Sequence, residues 1–308
     1  MGPHGLECAV VGTIAFMWSP RRTGRRKERD LTDSIKTSSA TSHPTGAPSN
    51  PSRATRRHVL LAGAGLATAT VLGAPAIIRP ARASTPVKGV VEMFTSQGCS
   101  SCPPADELLA ELIASGEAVG LALHVDYWDY LGWKDPLASR ANTRRQYAYA
   151  QAFQRRGVYT PQAVVNGRDH YVGSRERDVR LALDKELANG LAPALDVAIE
   201  ERSGEARVAV NAGDAPARSA SVVAMRYRIE HTEAIERGEN RGRTITYHHP
   251  VLDFDTIGEW NGSAVEFAVP VGTPDIPGGL AVLVQDRLAS GAPGPVLGAA
   301  AVRVGATG

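Results

Sequence analysis

The chain has 308 residues, 43% apolar and 21% charged, which suits a soluble globular protein with room for two modest cores and excludes a wholly disordered or fibrous chain. Its formal charge of +2 averages unlike parts: residues 1–83 hold twelve Lys and Arg against four acids, so 22 bases face 28 acids from Ser84 onward, a net of −6. That acidic remainder offers no broad basic surface, so no nucleic-acid partner is expected.

Residues 1–54 are rich in Ser, Thr, Pro and Arg without a sustained apolar period, and read as a disordered or mis-assigned start. Residues 55–83 read as a twin-arginine export signal. Thr55-Arg56-Arg57-His58-Val59-Leu60 is the charged start, residues 59–78 are apolar, and Ala81-Arg82-Ala83 is a small-x-small cleavage site. An uncleaved anchor is the alternative, weakened by Gly63, Gly65, Gly73 and Pro75. The expected destination is the bacterial periplasm or the exterior, with membrane contact only through the signal before cleavage. Such an oxidising compartment suits a disulfide.

From residue 88 strand-like and helical patterns alternate. Val90–Phe94 is apolar, a helix follows over about 104–115 to Gly116, Val119–Val125 is a buried strand, and a helix spans about 137–156 with Gly157 as its stop. Gln162–Val165, the turn pair Asn166-Gly167 and a return through His170-Tyr171-Val172 form a hairpin, and Ser174 can cap a last helix over about 175–189 closed by Gly190. The order βαβαββα predicts a thioredoxin-like domain over 84–191. After Pro193 the helical period vanishes. Seven candidate strands, Leu195–Ile199, Ala206–Val210, Ser221–Glu230, Arg243–Tyr247, Ala264–Val269, Leu280–Val284 and Val296–Val304, predict an antiparallel β-sandwich-like domain over 192–305. The fold class expected is therefore α/β, a thioredoxin-like domain followed by a β-sandwich.

Cys99 and Cys102 sit where the first strand gives way to the first helix, the arrangement of a thiol–disulfide site. The unpaired N–H groups and positive dipole end of that helix are expected to favour a thiolate at Cys99, with Cys102 resolving the mixed disulfide. Pro161, directly before a strand, is predicted to be cis in this fold, with Thr160 offering its backbone to an extended polypeptide. Glu92 interrupts the first strand. It reads equally as a buried carboxylate that takes the Cys102 proton or as a strand Glu facing water.

Tyr127, Trp128, Tyr130 and Trp133 crowd one short segment, readable as an apolar rim for a partner or, slightly better, as packing between loop and helix. His124 and Asp126 share a strand face and form a weak proton or metal pair. Two thiolates with a His can hold copper or zinc, yet the mature chain shows neither a second Cys-x-x-Cys nor a His-x₃-His spacing, so no metal and no cofactor are assigned. No nucleophile elbow for Ser-His-Asp hydrolysis is present.

The run from Val90 to Asp106, the block His124–Pro136, and Thr160-Pro161-Gln162 followed by Val164-Val165-Asn166-Gly167 resemble the secreted thioredoxin-like family catalogued as domain of unknown function 1223. The resemblance covers about residues 86–304, including Gly238-Glu239-Asn240-Arg241-Gly242-Arg243. It implies a thioredoxin-like fold with an appended β domain in exported bacterial proteins, and as site residues it carries over only the two cysteines and Pro161. The function expected is an exported thiol–disulfide oxidoreductase acting on protein thiols or disulfides with an unidentified redox partner. The alternative is a non-catalytic periplasmic binding or copper-delivery module with structural or ligating cysteines.

Overall fold

The computed structural model describes residues 87–202, 204–271 and 278–304. The segments read as a disordered or mis-assigned start (1–54) and as a twin-arginine signal (55–83) lie outside the described residues.

Strand β1 (Gly89–Thr95) leads through a short loop into α1 (Pro103–Ala114), β2 (Ala118–His124), a 3-10 turn over Asp126–Leu131 and α2 (Arg140–Ala152); β3 (Gln162–Val165), β4 (Asp169–Val172) and α3 (Glu176–Ala188) follow. The four strands form a mixed sheet in the order β2-β1-β3-β4, with β1 and β2 parallel and the other pairs antiparallel. Because strand side chains alternate, Val91 and Met93 of β1 join the core formed with α1 and α3, whereas Val90 and Phe94 face the opposite side. The Asn166-Gly167 turn forms as its sequence predicts, with positive φ at both residues, 50° and 64°.

α2 differs from its predicted extent, and α3 from its predicted cap. α2 starts at Arg140 because the Ser139 side chain accepts the Asn142 N–H, and it ends before Phe153, short of Gly157. α3 begins after Arg175, with no side-chain cap from Ser174.

The rest of the described chain is β structure: β5 (Val197–Arg202), β6 (Glu205–Val210), β7 (Ala220–Arg228), β8 (Glu230–Ala234), β9 (Thr244–His248), β10 (Val251–Trp260), β11 (Val265–Pro270), β12 (Gly278–Arg287) and β13 (Pro293–Val304). These nine strands, where the sequence predicted seven, make antiparallel sheets in the orders β10-β7-β12-β13 and β11-β6-β5, plus the ribbon β8-β9. β10 was hidden because it lies at a sheet edge, carries Asp253, Asp255 and Glu259, and pairs with β7 through two register shifts that break its alternation.

The β7–β12 sheet is buried on both faces. Val223, Met225, Ala281 and Leu283 pack with Val90, Phe94, Leu121, Leu123 and Tyr149 of the first half, while Val222, Ala224, Leu280, Val282 and Val284 pack with Val208, Val210 and Val269 of the three-stranded sheet. A strand covered on both sides reads as a continuous apolar run, as Leu280–Val284 does. One apolar cluster thus joins the two halves. At the open edge of the first sheet the Ala122 N–H donates to His249 O (3.0 Å) and Ala122 bridges Pro250, so the corner between β9 and β10 covers β2. The fold is mixed α/β, mostly sheet, with several antiparallel sheets. Among the described residues no helix is long and apolar enough to cross a membrane.

Candidate functional site

The loop from β1 to α1 carries the two cysteines, joined as a disulfide with their Cα atoms 5.4 Å apart. Cys102 is the N-cap of α1, and Pro103 and Pro104 fill the first two helical positions, where a missing N–H costs nothing. The next two donors, Ala105 N–H and Asp106 N–H, both turn to Cys102 O, at 2.8 and 3.1 Å. The free N–H groups expected beside Cys99 are therefore largely absent, two being proline and two being used. What the helix end offers a thiolate is its dipole.

Ser100 and Ser101 between the cysteines are exposed, yet both cysteines are 0% exposed. The loop joining β8 to β9 reaches this turn from the other half of the chain. Buried Asn240 donates through Nδ2 to Gln97 O and to Cys99 O, 2.9 Å each, and the Glu239 carboxylate accepts from Ser100 N–H (3.1 Å) and Ser100 Oγ (2.7 Å). Arg243 Nη1 steadies the amide by donating to Asn240 Oδ1 at 3.2 Å.

Pro161 lies at the first turn of α1. A Cβ added to Gly173 would stand 3.1 Å from both Pro161 Cβ and Ala105 Cβ. The Thr160-Pro161 peptide is cis. The Thr160 side chain accepts from Trp128 Nε1 (2.8 Å), and Trp128 also backs the cysteine loop, since a Cβ on Gly98 would meet its Cβ at 3.0 Å. Trp133 Nε1 likewise donates to Gln97 Oε1 at 2.8 Å. These two tryptophans pack the loop. Tyr130 alone of the aromatic run is largely exposed, at 78%.

Glu92 is not brought to the cysteines. It alternates with Val90 and Phe94 and so projects from the sheet face opposite α1, where its carboxylate accepts from Arg145 Nε and Nη2 and from the Tyr149 hydroxyl. Gln285 of β12 completes the network, accepting from Arg145 Nη2 (2.9 Å) and donating to the Tyr149 oxygen (2.7 Å). Neither reading made from the sequence describes this residue, which is buried but committed to an ion pair tying β1, α2 and β12 together.

A different buried carboxyl stands near the dithiol. Asp106 is one turn beyond Cys102 on the same helix, and burial pushes its pKa up to about 7, with the nearby His124 charge and Thr95 partly opposing the rise. Thr95 Oγ1, both Asp106 oxygens and His124 Nε2 are buried without a closed protein hydrogen bond. His124 Nδ1 bonds Asp135 Oδ2 at 2.7 Å. Burial alone would lower the His124 pKa, but Asp135 and Asp106 together outweigh it and the net direction is upward. Asp135 moves downward despite its burial, held by His124 and by the N–H groups of Gln97 and Leu137. His124 therefore pairs with Asp135, not with Asp126, whose carboxylate accepts from Thr143 Oγ1 at 2.6 Å. One signal could have exposed Asp106: it falls on the apolar stripe with Cys102, Ala105 and Leu109, a costly place for an acid.

Among the described residues no group of three or more His, Cys, Asp and Glu is placed to hold a metal ion. Two surface clefts, of about 350 and 380 Å³, lie around Arg145 and Phe254 and around Tyr159 and His170, and neither is lined by a cysteine.

The sequence profile of the family described as "Protein of unknown function (DUF1223)" matches residues 90–285. The chain belongs to the DUF1223 family. The DUF1223 match runs from β1 to Gln285, and so takes in both the cysteine loop and the β8–β9 loop lying over it. The X-ray crystal structure of protein AGR_C_4864 from Agrobacterium tumefaciens is similar, with 41% identity over 73% of this chain and 98% of that one and a TM-score of 0.66. No curated protein matches this DUF1223 chain.

Proposed function

We propose that this protein is an exported thiol–disulfide oxidoreductase of the periplasm or exterior, built on a thioredoxin-like domain with a β-sandwich packed against it. The observation that carries the reading is the Cys99–Cys102 disulfide at the start of α1 with Pro161 against the first turn of the same helix. The strand order β2-β1-β3-β4, with helices on its faces, supports the thioredoxin-like assignment.

In the reductive direction the Cys99 thiolate attacks one sulfur of a partner disulfide. A mixed disulfide forms and the partner's other sulfur leaves as a thiolate. Cys102, losing its proton, then attacks Cys99 Sγ, forms the intramolecular disulfide and expels the second partner thiolate. Two electrons pass to the partner, whose thiolates take up the two protons that the cysteines released. Asp106, with a pKa about 7, is the buried carboxyl nearest in chain position to receive the Cys102 proton.

A second reading, a structural disulfide without turnover, is favoured by the complete burial of both sulfurs. Insulin reduction by dithiothreitol separates the two. The oxidoreductase accelerates precipitation of the insulin B chain, and Cys99→Ser abolishes the acceleration. A wild-type rate equal to the uncatalysed one would overturn the proposal.

A further inference from the structure

Ser100 and Ser101 place the 99–102 turn at the protein surface, yet Cys99, directly before them, is fully covered. Among the described residues, the side chain that reaches the Cys99 backbone from outside its own segment is Asn240, which grips two carbonyls of the loop at once. Buried and bonded on both its donor and acceptor ends, Asn240 is the latch of this contact. Exposed Glu239 is a weaker, charge-bearing strap over Ser100. The ribbon that presents them has two strands, and two-stranded ribbons are marginal by themselves.

We infer that the β8–β9 loop is a displaceable cap on the dithiol, with Asn240 as its latch, so that a reductant or partner thiol reaches the Cys99–Cys102 disulfide only when this loop lifts. The inference rests on the proposed redox reading for its biological use, but the cap itself is a property of the folded chain. Asn240 and Glu239 are in this sense positioning residues, acting through loop 97–100 and taking no part in bond exchange. Glu239 adds a second effect. Its carboxylate occupies the Ser100 N–H and sets a negative charge at the helix start, where a Cys99 thiolate would form, so the closed cap favours the disulfide over the reduced pair.

The test is the rate at which dithiothreitol reduces the protein's own disulfide in native buffer, read by acid quench, alkylation and mass spectrometry on the full chain. One dithiothreitol thiolate attacks Cys99 Sγ, breaking the Cys99–Cys102 bond and freeing Cys102. The second attacks the mixed disulfide, closing the oxidised ring and freeing Cys99, so two electrons and two protons pass to the protein. Asn240→Ala removes two donor contacts and is expected to speed reduction on the order of tenfold or more, as an opening equilibrium shifts by that factor. Glu239→Gln keeps an acceptor but not the charge, and is expected to speed it a few-fold. An Asn240→Ala rate within twofold of wild type, in protein that keeps its cooperative urea transition, overturns the inference.

If Asn240→Ala loses that transition, amide exchange of wild-type residues 97–101 decides. Exchange through openings far cheaper than global unfolding supports the cap, and exchange only through global unfolding overturns it. Failure of the redox reading looks different: insulin reduction would be absent from wild type and Asn240→Ala alike, while the native reduction rates still differed.

Discussion

His124 and Asp135 stand 2.7 Å apart, Nδ1 to Oδ2, with both side chains essentially shut off from solvent. Behind the cysteine loop they form an ion pair whose strength depends on pH, and Asp106 sits within their field. The three groups pull stability in stated directions. The His124 pKa is raised, so its contribution is fully present below the unfolded value near 6.5 and is lost as pH rises through the folded value. The Asp135 pKa is lowered, so its contribution is present above about 3.8 and is lost as pH falls. The Asp106 pKa is raised to about 7 from 3.8, so the folded state prefers the neutral acid and loses stability as pH rises across that interval, by on the order of 4 kcal/mol.

Stability measured by urea unfolding is therefore expected to fall between pH 5 and pH 8. Asp106→Asn should relieve most of that slope, its advantage over wild type growing with pH. An advantage that stays constant from pH 4 to pH 8 would show that Asp106 ionises in the fold as freely as in the unfolded chain.

Glu92 and Arg145 form the second buried pair. Removing one member strands the other charge in the core, so Glu92→Ala is expected to cost about 3–5 kcal/mol. Replacing both with apolar residues of similar size should cost less than the single change. Because Glu92 lies across the sheet from α1, dithiothreitol reduction of the still-folded variant should match wild type. A slowed dithiol with normal stability would restore Glu92 to the chemistry.

Gly167 and Gly116 offer a matched comparison, with φ of 64° and 69°. At Gly116 an added Cβ meets nothing within 4 Å, so Gly116→Ala should cost the backbone penalty alone, about 1–2 kcal/mol. At Gly167 the Cβ would run into the Gly294 carbonyl and the Gln285 side chain. Gly167→Ala is expected to cost clearly more. Equal urea midpoints for the two variants would mean that Gln285 of β12 and Gly294 of β13 yield to the added carbon.

How far the chain could be read in advance follows from where each signal is generated. The turn at Asn166-Gly167 and the start of α1 after Cys102 were legible because they depend on neighbours in sequence: two residues tolerant of positive φ, two prolines suited to a first helical turn. β10 and the split of β8 from β7 were not. Edge position, bulges and charged outward residues erase the alternation that marks a strand. α2 was overextended because its ends depend on the Ser139 cap and on the chain's exit at Phe153 rather than on its polar helical pattern.

The sequence alone determined that two cysteines lie at a strand-to-helix junction, since three residues of spacing and a helix start are local matters settled by backbone geometry. Tertiary structure decided what surrounds them. Glu92 went to Arg145 rather than to the dithiol, and Asn240 came to rest on the Cys99 carbonyl from 141 positions away. Such contacts arise only when burial of the shared apolar cluster folds the second half of the chain onto the first, and no local pattern records which residues that closure brings together.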